Sequence, residues 1–170
     1  MTPNPMTAQK VAALIHPESV CLNLTARSKA HALHEVAGLL NGCPSVPDLG
    51  AFLREILARE QEGNTAIGHG VAIPHARTDQ CREIVIAVGR SMDGIDYGAA
   101  DGKPVQILFL IGTPMQDVTE YLRVVGMLAR LLARVSIRQR LLDAADSKAF
   151  LTVIAEADQQ QTSRMRDPLS

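Results

Sequence analysis

The stretch Val105-Gln-Ile-Leu-Phe-Leu-Ile111 is almost continuously apolar, and it decides the fold class. An apolar run without alternation predicts a central strand that is covered on both faces. The segment Asp101-Gly-Lys-Pro104 before it has turn residues, and residues 84–88 predict a neighbouring strand. Because a strand buried on both faces needs a layer on each side, the pattern indicates an α/β fold.

Helical periodicity flanks these strands. Ser28 is predicted to cap a helix that runs to about residue 40, and Asp48 to cap a second helix that ends at Gly63. Asp117 is predicted to begin a longer helix that reaches about residue 133. The apolar positions that we expect to face the core in this longer helix are Val118, Leu122, Val125, Leu128 and Leu132.

The remaining predicted elements are short. We expect a strand over residues 20–24 and helices over 9–15, 136–143 and 147–157. The predicted order is β-α-α-β-β-β-α-α-α. Short loops between neighbouring strands favour a mixed β-sheet flanked by helices on both faces.

The length of 170 residues fits one domain with tails. We predict a disordered N-terminus over residues 1–7, the folded domain over 8–157, and a polar mobile tail over 158–170.

The composition excludes several classes of function. Lys and Arg total 17 against 18 for Asp and Glu, so the net charge of -1 attracts neither nucleic acid nor a lipid surface. Aromatic residues make up only 3%, which argues against stacking on bases. No apolar run approaches the ~20 residues of a membrane helix. Three cysteines without a CxxC pair and the absence of a secretory signal predict a cytoplasmic protein.

The stretch Thr65-Ala-Ile-Gly-His-Gly-Val-Ala-Ile-Pro-His75 combines the groups that a phosphoryl acceptor needs. His75 supplies an imidazole, which is a nucleophile in its neutral form near neutral pH. The oxygens of a phosphoryl group need donors, and Gly68 and Gly70 let backbone N–H groups approach an anion closely. Thr65 adds a hydroxyl, and Arg59, in the last turn of its helix, adds a guanidinium.

A metal site is the competing interpretation of the two histidines in this stretch. His69 and His75 are six residues apart in an extended segment, about 20 Å when fully stretched. No cysteine or acidic residue completes a ligand set, so we predict neither a metal nor another cofactor.

The segment Arg59-Glu-Gln-Glu-Gly-Asn-Thr-Ala-Ile-Gly-His-Gly-Val-Ala-Ile-Pro-His75-Ala-Arg resembles the active-site signature of enzyme IIA domains of the bacterial phosphoenolpyruvate:sugar phosphotransferase system. The likeness is to the mannitol/fructose class (type 2), and most of all to its nitrogen-related regulatory form. It extends in order and spacing from about residue 10 to about residue 157. The resemblance implies the phosphotransferase/anion-transport-protein fold, a mixed sheet flanked by helices.

The resemblance also implies roles for individual residues. His75 matches the phosphorylated histidine of the family, and Arg59 matches its phosphate-contacting arginine. His69 stands where the family commonly has Asn or His, and it is expected to orient the site. The implied phosphoryl donor is a histidine phosphocarrier protein, HPr or its nitrogen-branch paralogue.

One position departs from the family's pattern. Members that pass phosphate onward have a second active-site histidine near the start of the helix after the central strand, and Tyr121 aligns there. A tyrosine can hydrogen-bond a phosphate oxygen, but it carries no positive charge. We therefore expect a phosphohistidine regulator of the nitrogen type, present as a lone domain, whose targets include potassium-transport proteins or sensor kinases.

Other functions stay open at this point. One is a transport-type enzyme IIA that passes phosphate to the B domain of a fructose- or mannitol-class permease. Another is a binding module that does not accept phosphate, and a third, a metal-dependent hydrolase, lacks a ligand set. Separately, Arg130, Arg134 and Arg138 are spaced i, i+4, which predicts a basic stripe on a helix, either solvated or docked to an acidic partner.

Overall fold

The computed structural model describes residues 10–166, except for the side chains of residues 162 and 164–166. Within these residues, a six-stranded mixed sheet forms the centre of the protein. The strands are β1 (Val20–Cys21), β2 (Ala66–Gly68), β3 (Val71–Ala72), β4 (His75–Arg77), β5 (Val85–Ile95) and β6 (Val105–Thr113). Their spatial order is β1-β5-β6-β3-β2, and β4 also pairs with β6.

The central strand is β6, as the apolar stretch predicts. It runs antiparallel to β5 and parallel to β3 and β4, which follow one another along its other edge. Of its residues only Gln106 is more than slightly exposed. The prediction of a mixed sheet is therefore confirmed.

Five α-helices cover the two faces of the sheet. They are α1 (Lys29–Gly38), α2 (Leu49–Glu62), α3 (Val118–Leu132), α4 (Val135–Asp143) and α5 (Ser147–Arg166). The first two pack on one face, and the other three pack on the opposite face with the short 3₁₀ helix Val11–Leu14. Ser28 and Asp48 cap α1 and α2 through their side chains, as predicted.

Gly112 allows α2 to approach the end of β6. A Cβ at this position would lie 2.5 Å from Cε2 of Phe52 and 2.7 Å from Sγ of Cys81. Only a residue without a side chain lets the helix come this close. The contact sets where the last turn of α2, which carries Arg59, stands relative to the sheet.

The predicted core face of α3 is partly wrong. Val118 and Leu122 are 43% and 62% exposed, whereas the buried positions of the helix include Val124 and Leu131. Its first turns border an open cleft at the end of β4 and β6, so apolar side chains there have no sheet to pack on. Helical periodicity alone cannot show where a sheet ends.

The limits of several terminal elements also differ from the predictions. Helix α5 does not end at residue 157 but continues to Arg166, and Asp158 is fully buried, where it accepts a hydrogen bond from the N–H of Ala12. The predicted start of the tail at residue 158 is therefore wrong. Residues 1–7 and the last four residues lie outside the described part of the chain. The strand predicted over 20–24 is limited to Val20–Cys21.

The three regularly spaced arginines do not share one helix. Arg130 lies in the last turn of α3, Arg134 precedes the first residue of α4, and Arg138 lies within α4. Because the chain turns between the two helices, the predicted stripe is wrong. Arg138 instead lines a separate cleft with His69.

Candidate functional site

The candidate site lies where the parallel strands β4 and β6 end. His75 is the first residue of β4 and pairs with Ile111, and the carbonyl of Pro74 accepts the N–H of Ile111 at 2.9 Å. The last turn of α2 and the first turns of α3 flank the ends of these strands. Carboxyl ends of parallel strands are common binding sites in α/β proteins.

A single hydrogen bond fixes the tautomer of His75. Its Nδ1 lies 2.6 Å from the carbonyl oxygen of Ile73. A carbonyl only accepts hydrogen bonds, so Nδ1 carries the proton. The lone pair of the neutral ring is then on Nε2, which is the nitrogen left to act as a nucleophile.

The surroundings of His75 favour the neutral ring. Burial lowers the pKa of His75 below its ordinary value, and the nearby charge of Arg59 lowers it further. The hydrogen bond to Ile73 and the negative charge of Glu60 act in the opposite direction without reversing the shift. A neutral imidazole is therefore present at neutral pH.

Two arginines line a cleft of about 510 Å³ beside His75. Nη1 of Arg59 donates to the carbonyl of Gly63 at 3.2 Å. Nη1 of Arg77 lies 3.4 Å from the carbonyl of Met115, and its guanidinium lies 5.8 Å from the centroid of the Tyr121 ring. Both guanidiniums keep further N–H groups for an anion, and a phosphoryl group is the anion that their fork geometry suits.

The charges along this cleft are mixed. Glu55, Glu62 and Asp79 also line it. Within the described part of the chain, however, none of them lies within 4.0 Å of the guanidinium of Arg59 or Arg77. The two arginines are therefore not neutralised by direct ion pairs.

Tyr121 contacts His75 directly. The centroids of the two rings are 5.4 Å apart at an interplanar angle of 50°. Burial raises the pKa of Tyr121, and the charges of Arg59 and Arg77 oppose this shift. The phenol is therefore protonated at neutral pH and is able to donate a hydrogen bond to a phosphate oxygen.

Thr65 does not offer its hydroxyl to the cleft. The side chain is buried, and its hydroxyl donates to Oε2 of Glu60 at 2.6 Å while lying 2.9 Å from the hydroxyl of Tyr97. The expected direct contact with phosphate is therefore not what the structure shows. The carbonyl of Thr65 accepts the N–H of Ile73, whose own carbonyl orients His75, so Thr65 shapes the site through the backbone.

The turn Gly68-His69-Gly70 is not near the acceptor. Val71 pairs with Ile107 and His75 with Ile111, four residues or about 13 Å further along β6. The turn does hold an anion, but it is the protein's own carboxylate, since the N–H of His69 donates to Oδ2 of Asp101 at 2.9 Å. The predicted cradle for phosphate and the orienting role of His69 are thus not supported by the geometry.

Arg77 is the site residue that the sequence analysis missed. Side chains alternate along a strand, so a residue two positions after His75 lies on the same face. Proline interrupts strands, so Pro74 predicts a strand break, and nothing in the local pattern predicts a strand that begins just after it. The structure begins β4 at His75 and brings Arg77 to the cleft.

The described residues contain neither a cluster of metal-binding side chains nor a helix that could span a membrane. Between residues 10 and 166, no group of three or more His, Cys, Asp or Glu side chains is arranged to hold a metal ion. No helix in that same stretch combines the length and apolarity needed to cross a bilayer.

Comparison with known proteins gives a consistent family. The family described as "Phosphoenolpyruvate-dependent sugar phosphotransferase system, EIIA 2" matches residues 13–157. The fructose-specific EIIABC component of Bacillus subtilis is 34% identical over 88% of the chain, which spans only 24% of that protein. The fructose-specific EIIA component of Haloferax volcanii is 32% identical, with 89% of the chain and 98% of the relative covered.

Relatives with a regulatory name match over similar lengths. The nitrogen regulatory protein of Pseudomonas aeruginosa is 29% identical over 87% of the chain and 96% of its own length. The crystal structure of nitrogen regulatory protein IIA-Ntr from Neisseria meningitidis superposes with a TM-score of 0.80 at 27% identity, covering 85% of this chain and 98% of that one. IIA mannitol from Escherichia coli, 19% identical with a TM-score of 0.72 over 82% of this chain and 98% of its own, shares the fold.

Proposed function

The chain belongs to the type 2 EIIA family of the phosphoenolpyruvate-dependent sugar phosphotransferase system, and on this premise we propose that His75 accepts a phosphoryl group on Nε2 and presents it as a signal. The observation that carries the proposal is the neutral His75 ring, with its proton held on Nδ1 by Ile73. Tyr121, Arg59 and Arg77 lie beside this ring. In the described part of the chain, neither arginine has a carboxylate oxygen within 4.0 Å.

The step is a transfer between two histidines. The lone pair on Nε2 of His75 forms the new P–N bond, while the P–N bond of the donor breaks and its electron pair returns to the donor imidazole. Arg59 and Arg77 stabilise the charge on the phosphoryl oxygens. The proton stays on Nδ1, which donates its hydrogen bond to the carbonyl of Ile73, and this bond helps the ring bear the partial positive charge that develops on bond formation.

The surface around the cleft supports a protein donor. Met115, Val118 and Leu122 expose 45%, 43% and 62% of their surface on the loop before α3 and on its first turns. Exposed apolar side chains grouped beside a reactive residue are typical of a docking surface. The occupant that we propose is a histidine phosphocarrier protein, HPr or its nitrogen-branch paralogue.

A regulatory role is favoured over transport by the residue beside the acceptor. Tyr121 occupies the place where the phosphate-passing members of the family have a second histidine, and a phenol offers no protonated imidazole to assist departure of the phosphoryl group. Phosphorylation changes the local charge by about -1.5 to -2, which suffices to alter binding of a regulatory partner. Targets such as potassium-transport proteins or sensor kinases belong to this proposal.

The second candidate is a transport-type enzyme IIA that hands phosphate to a permease B domain. It is supported by the identities of 34% and 32% to the fructose components. A third candidate, a binding module that is never phosphorylated, is disfavoured by the free Nε2 of His75. The proposed location is the cytoplasm, with the three free cysteines as support.

The deciding experiment is incubation with phosphoenolpyruvate, enzyme I and the phosphocarrier protein, followed by intact mass. We expect a gain of about 80 Da, one phosphoryl group, which is lost in acid and retained in base. His75→Ala should abolish the gain, whereas His34→Ala, which changes an exposed histidine on α1, should not. Full labelling of the His75→Ala protein, or no labelling of the wild type, would disprove the proposal.

A further inference from the structure

A second cleft lies at the other end of β6 from His75. It has a volume of about 360 Å³ and is lined by residues from three separate parts of the chain. It is lined by His69 of the β2–β3 turn and by two cationic side chains, Lys103 of the loop before β6 and Arg138 of α4. We call it the basal cleft, and nothing in the proposed phosphoryl transfer uses it.

One carboxylate positions two of these residues through their backbone N–H groups, and its charge also interacts with that of Lys103. Oδ2 of Asp101 accepts the N–H of His69 at 2.9 Å, and Oδ1 accepts the N–H of Lys103 at 3.0 Å. Both oxygens of Asp101 are therefore bonded to backbone, and these bonds hold the pKa of its carboxyl below the usual range. The side chains of His69 and Lys103 are left exposed and adjacent to one another.

The conformation of His69 is unusual for its residue type. Among the described residues it is the only non-glycine with a positive φ, at 57°, and it stands between Gly68 and Gly70, which also have positive φ. A side chain in this region strains the backbone, and glycine would relieve the strain. The sequence nevertheless places an imidazole there, facing the basal cleft.

Lys103 and Arg138 form no direct ion pair within the described residues. In the part of the chain whose side chains are described, neither Lys103 nor Arg138 has an acidic oxygen within 4.0 Å, whereas Arg140, on the same helix as Arg138, pairs with Glu156 at 2.6 Å. Nη1 of Arg138 donates to the carbonyl of Leu132 at 2.9 Å, which fixes the half-buried side chain and leaves its other nitrogens for a ligand.

Two exposed apolar residues, which we call the apolar rim, neighbour residues of the basal cleft. Met92 is 54% exposed, and its carbonyl accepts the side-chain N–H of Gln106, a residue of the cleft. Val135, 71% exposed, lies three residues before Arg138 on α4, hence on a neighbouring part of the same helix surface. A small anion would need the cations but not this rim.

We propose that the basal cleft is a docking surface for an acidic segment of a protein partner, whose carboxylates bind Lys103 and Arg138 and whose apolar side chains cover Met92 and Val135. Lys103 and Arg138, which form no direct ion pair within the described residues, and the apolar rim match such a segment in charge and in polarity. The surface lies at the opposite end of the sheet from His75, so phosphorylation does not occlude it. This proposal does not depend on the proposed phosphoryl transfer.

The test uses the unphosphorylated full chain, labelled with ¹⁵N and titrated with a glutamate-rich peptide that has one central leucine. We expect amide shifts at the β2–β3 turn, at Lys103 and along α4, without shifts at Arg59 and Arg77. Replacing Lys103 and Arg138 together by Glu should weaken peptide binding by about tenfold or more. The matched control is Arg54→Glu with Lys148→Glu, the same charge change at exposed positions elsewhere, which should weaken it by less than about twofold.

Three results would overturn the proposal. The peptide does not bind, the control variant weakens peptide binding as much as the double variant does, or the amide shifts are centred on Arg59 and Arg77. Pyrophosphate titrated in parallel separates a docking surface from a small-anion site: if it shifts the basal amides and the peptide does not, the surface does not dock protein. Lys103→Glu alone, at an exposed position, should weaken binding by about threefold and serves if the double variant does not fold.

Discussion

The ring of Tyr121 contacts that of His75, with 5.4 Å between the two centroids. The guanidinium of Arg77 lies 5.8 Å from the centroid of the same tyrosine ring. The ring of Tyr121 thus contacts both His75 and the cation of Arg77. A phosphoryl group on His75 would meet a phenol and arginine charges rather than a second imidazole. The predictions that follow separate the contributions of these groups.

The first prediction concerns the pH dependence of phosphoryl acceptance. Only the neutral ring of His75 is a nucleophile, and burial together with the charge of Arg59 lowers its pKa. The acid limb of the acceptance rate should therefore have its midpoint below about 6.5, the ordinary value for imidazole. Arg59→Ala removes a lowering charge and should move the midpoint upward, whereas Arg54→Ala, at an exposed position of the same helix, should not. A midpoint above the ordinary value in the wild type would contradict this assignment.

The second prediction is the nitrogen that carries phosphate. Because Nδ1 of His75 is bonded to the carbonyl of Ile73 at 2.6 Å, the new bond should form at Nε2. Long-range ¹H–¹⁵N correlation spectra of the phosphorylated protein distinguish the two positions. Phosphate on Nδ1 would show that the hydrogen bond to Ile73 breaks before transfer.

The third prediction divides the binding of phosphate between the arginines. A charge-assisted hydrogen bond is worth about 1.5–3 kcal/mol, so Arg59→Ala should shift the phosphotransfer equilibrium by roughly ten- to a hundredfold toward the donor. Arg59→Lys should recover part of this, since lysine lacks the bidentate fork. Arg77 is more exposed, and Arg77→Gln should shift the same equilibrium by about three- to tenfold. If neither variant changes the equilibrium, the cleft does not bind the phosphoryl group.

The sequence predicts the parts of the fold that depend on local pattern. The central strand follows from seven nearly unbroken apolar positions, and the helix starts at Ser28 and Asp48 follow from capping side chains. The exposed first turns of α3 could not be predicted, because the periodicity of Val118 and Leu122 is the same whether or not a strand lies beneath them.

The site shows the same division. His75 and Arg59 are recognisable from a contiguous segment, but the ligand of the glycine turn is Asp101, which lies 32 residues after His69. No local pattern indicates that a distant carboxylate fills a glycine turn. Thr65 is expected to offer its hydroxyl to phosphate, but the hydroxyl donates to Glu60 of the preceding helix.

The fourth prediction tests the structural role of Thr65. Thr65→Val keeps the shape of the side chain but removes the hydroxyl that donates to Oε2 of the buried Glu60 at 2.6 Å, while the N–H of Thr65 and the ammonium of Lys29 still bind Oε1. We expect the free energy of unfolding in urea to fall by about 1–3 kcal/mol. The phosphotransfer equilibrium should change by less than about threefold, because the backbone of Thr65 still supports Ile73. A large change in the equilibrium without loss of stability would restore Thr65 as a direct ligand of phosphate.

The last prediction is that this protein accepts phosphate and passes it on slowly. We expect Arg59 and Arg77 to stabilise the phosphorylated state, and the neutral phenol of Tyr121 to add a hydrogen bond without the charge that would stabilise the transition state further. Mixing the phosphorylated protein with purified sugar-permease B domains, and following loss of phosphate from His75 by rapid quench, measures the rate.

Tyr121→His should accelerate transfer by about ten- to a hundredfold, since an imidazolium supplies the missing charge. Tyr121→Phe keeps the ring and removes the hydroxyl, so it should slow transfer by a few fold and separates the hydrogen bond from the charge. Rapid transfer by the wild type, together with no gain in Tyr121→His, would assign the chain to sugar uptake, because a protein that releases its phosphoryl group at once holds no lasting signal.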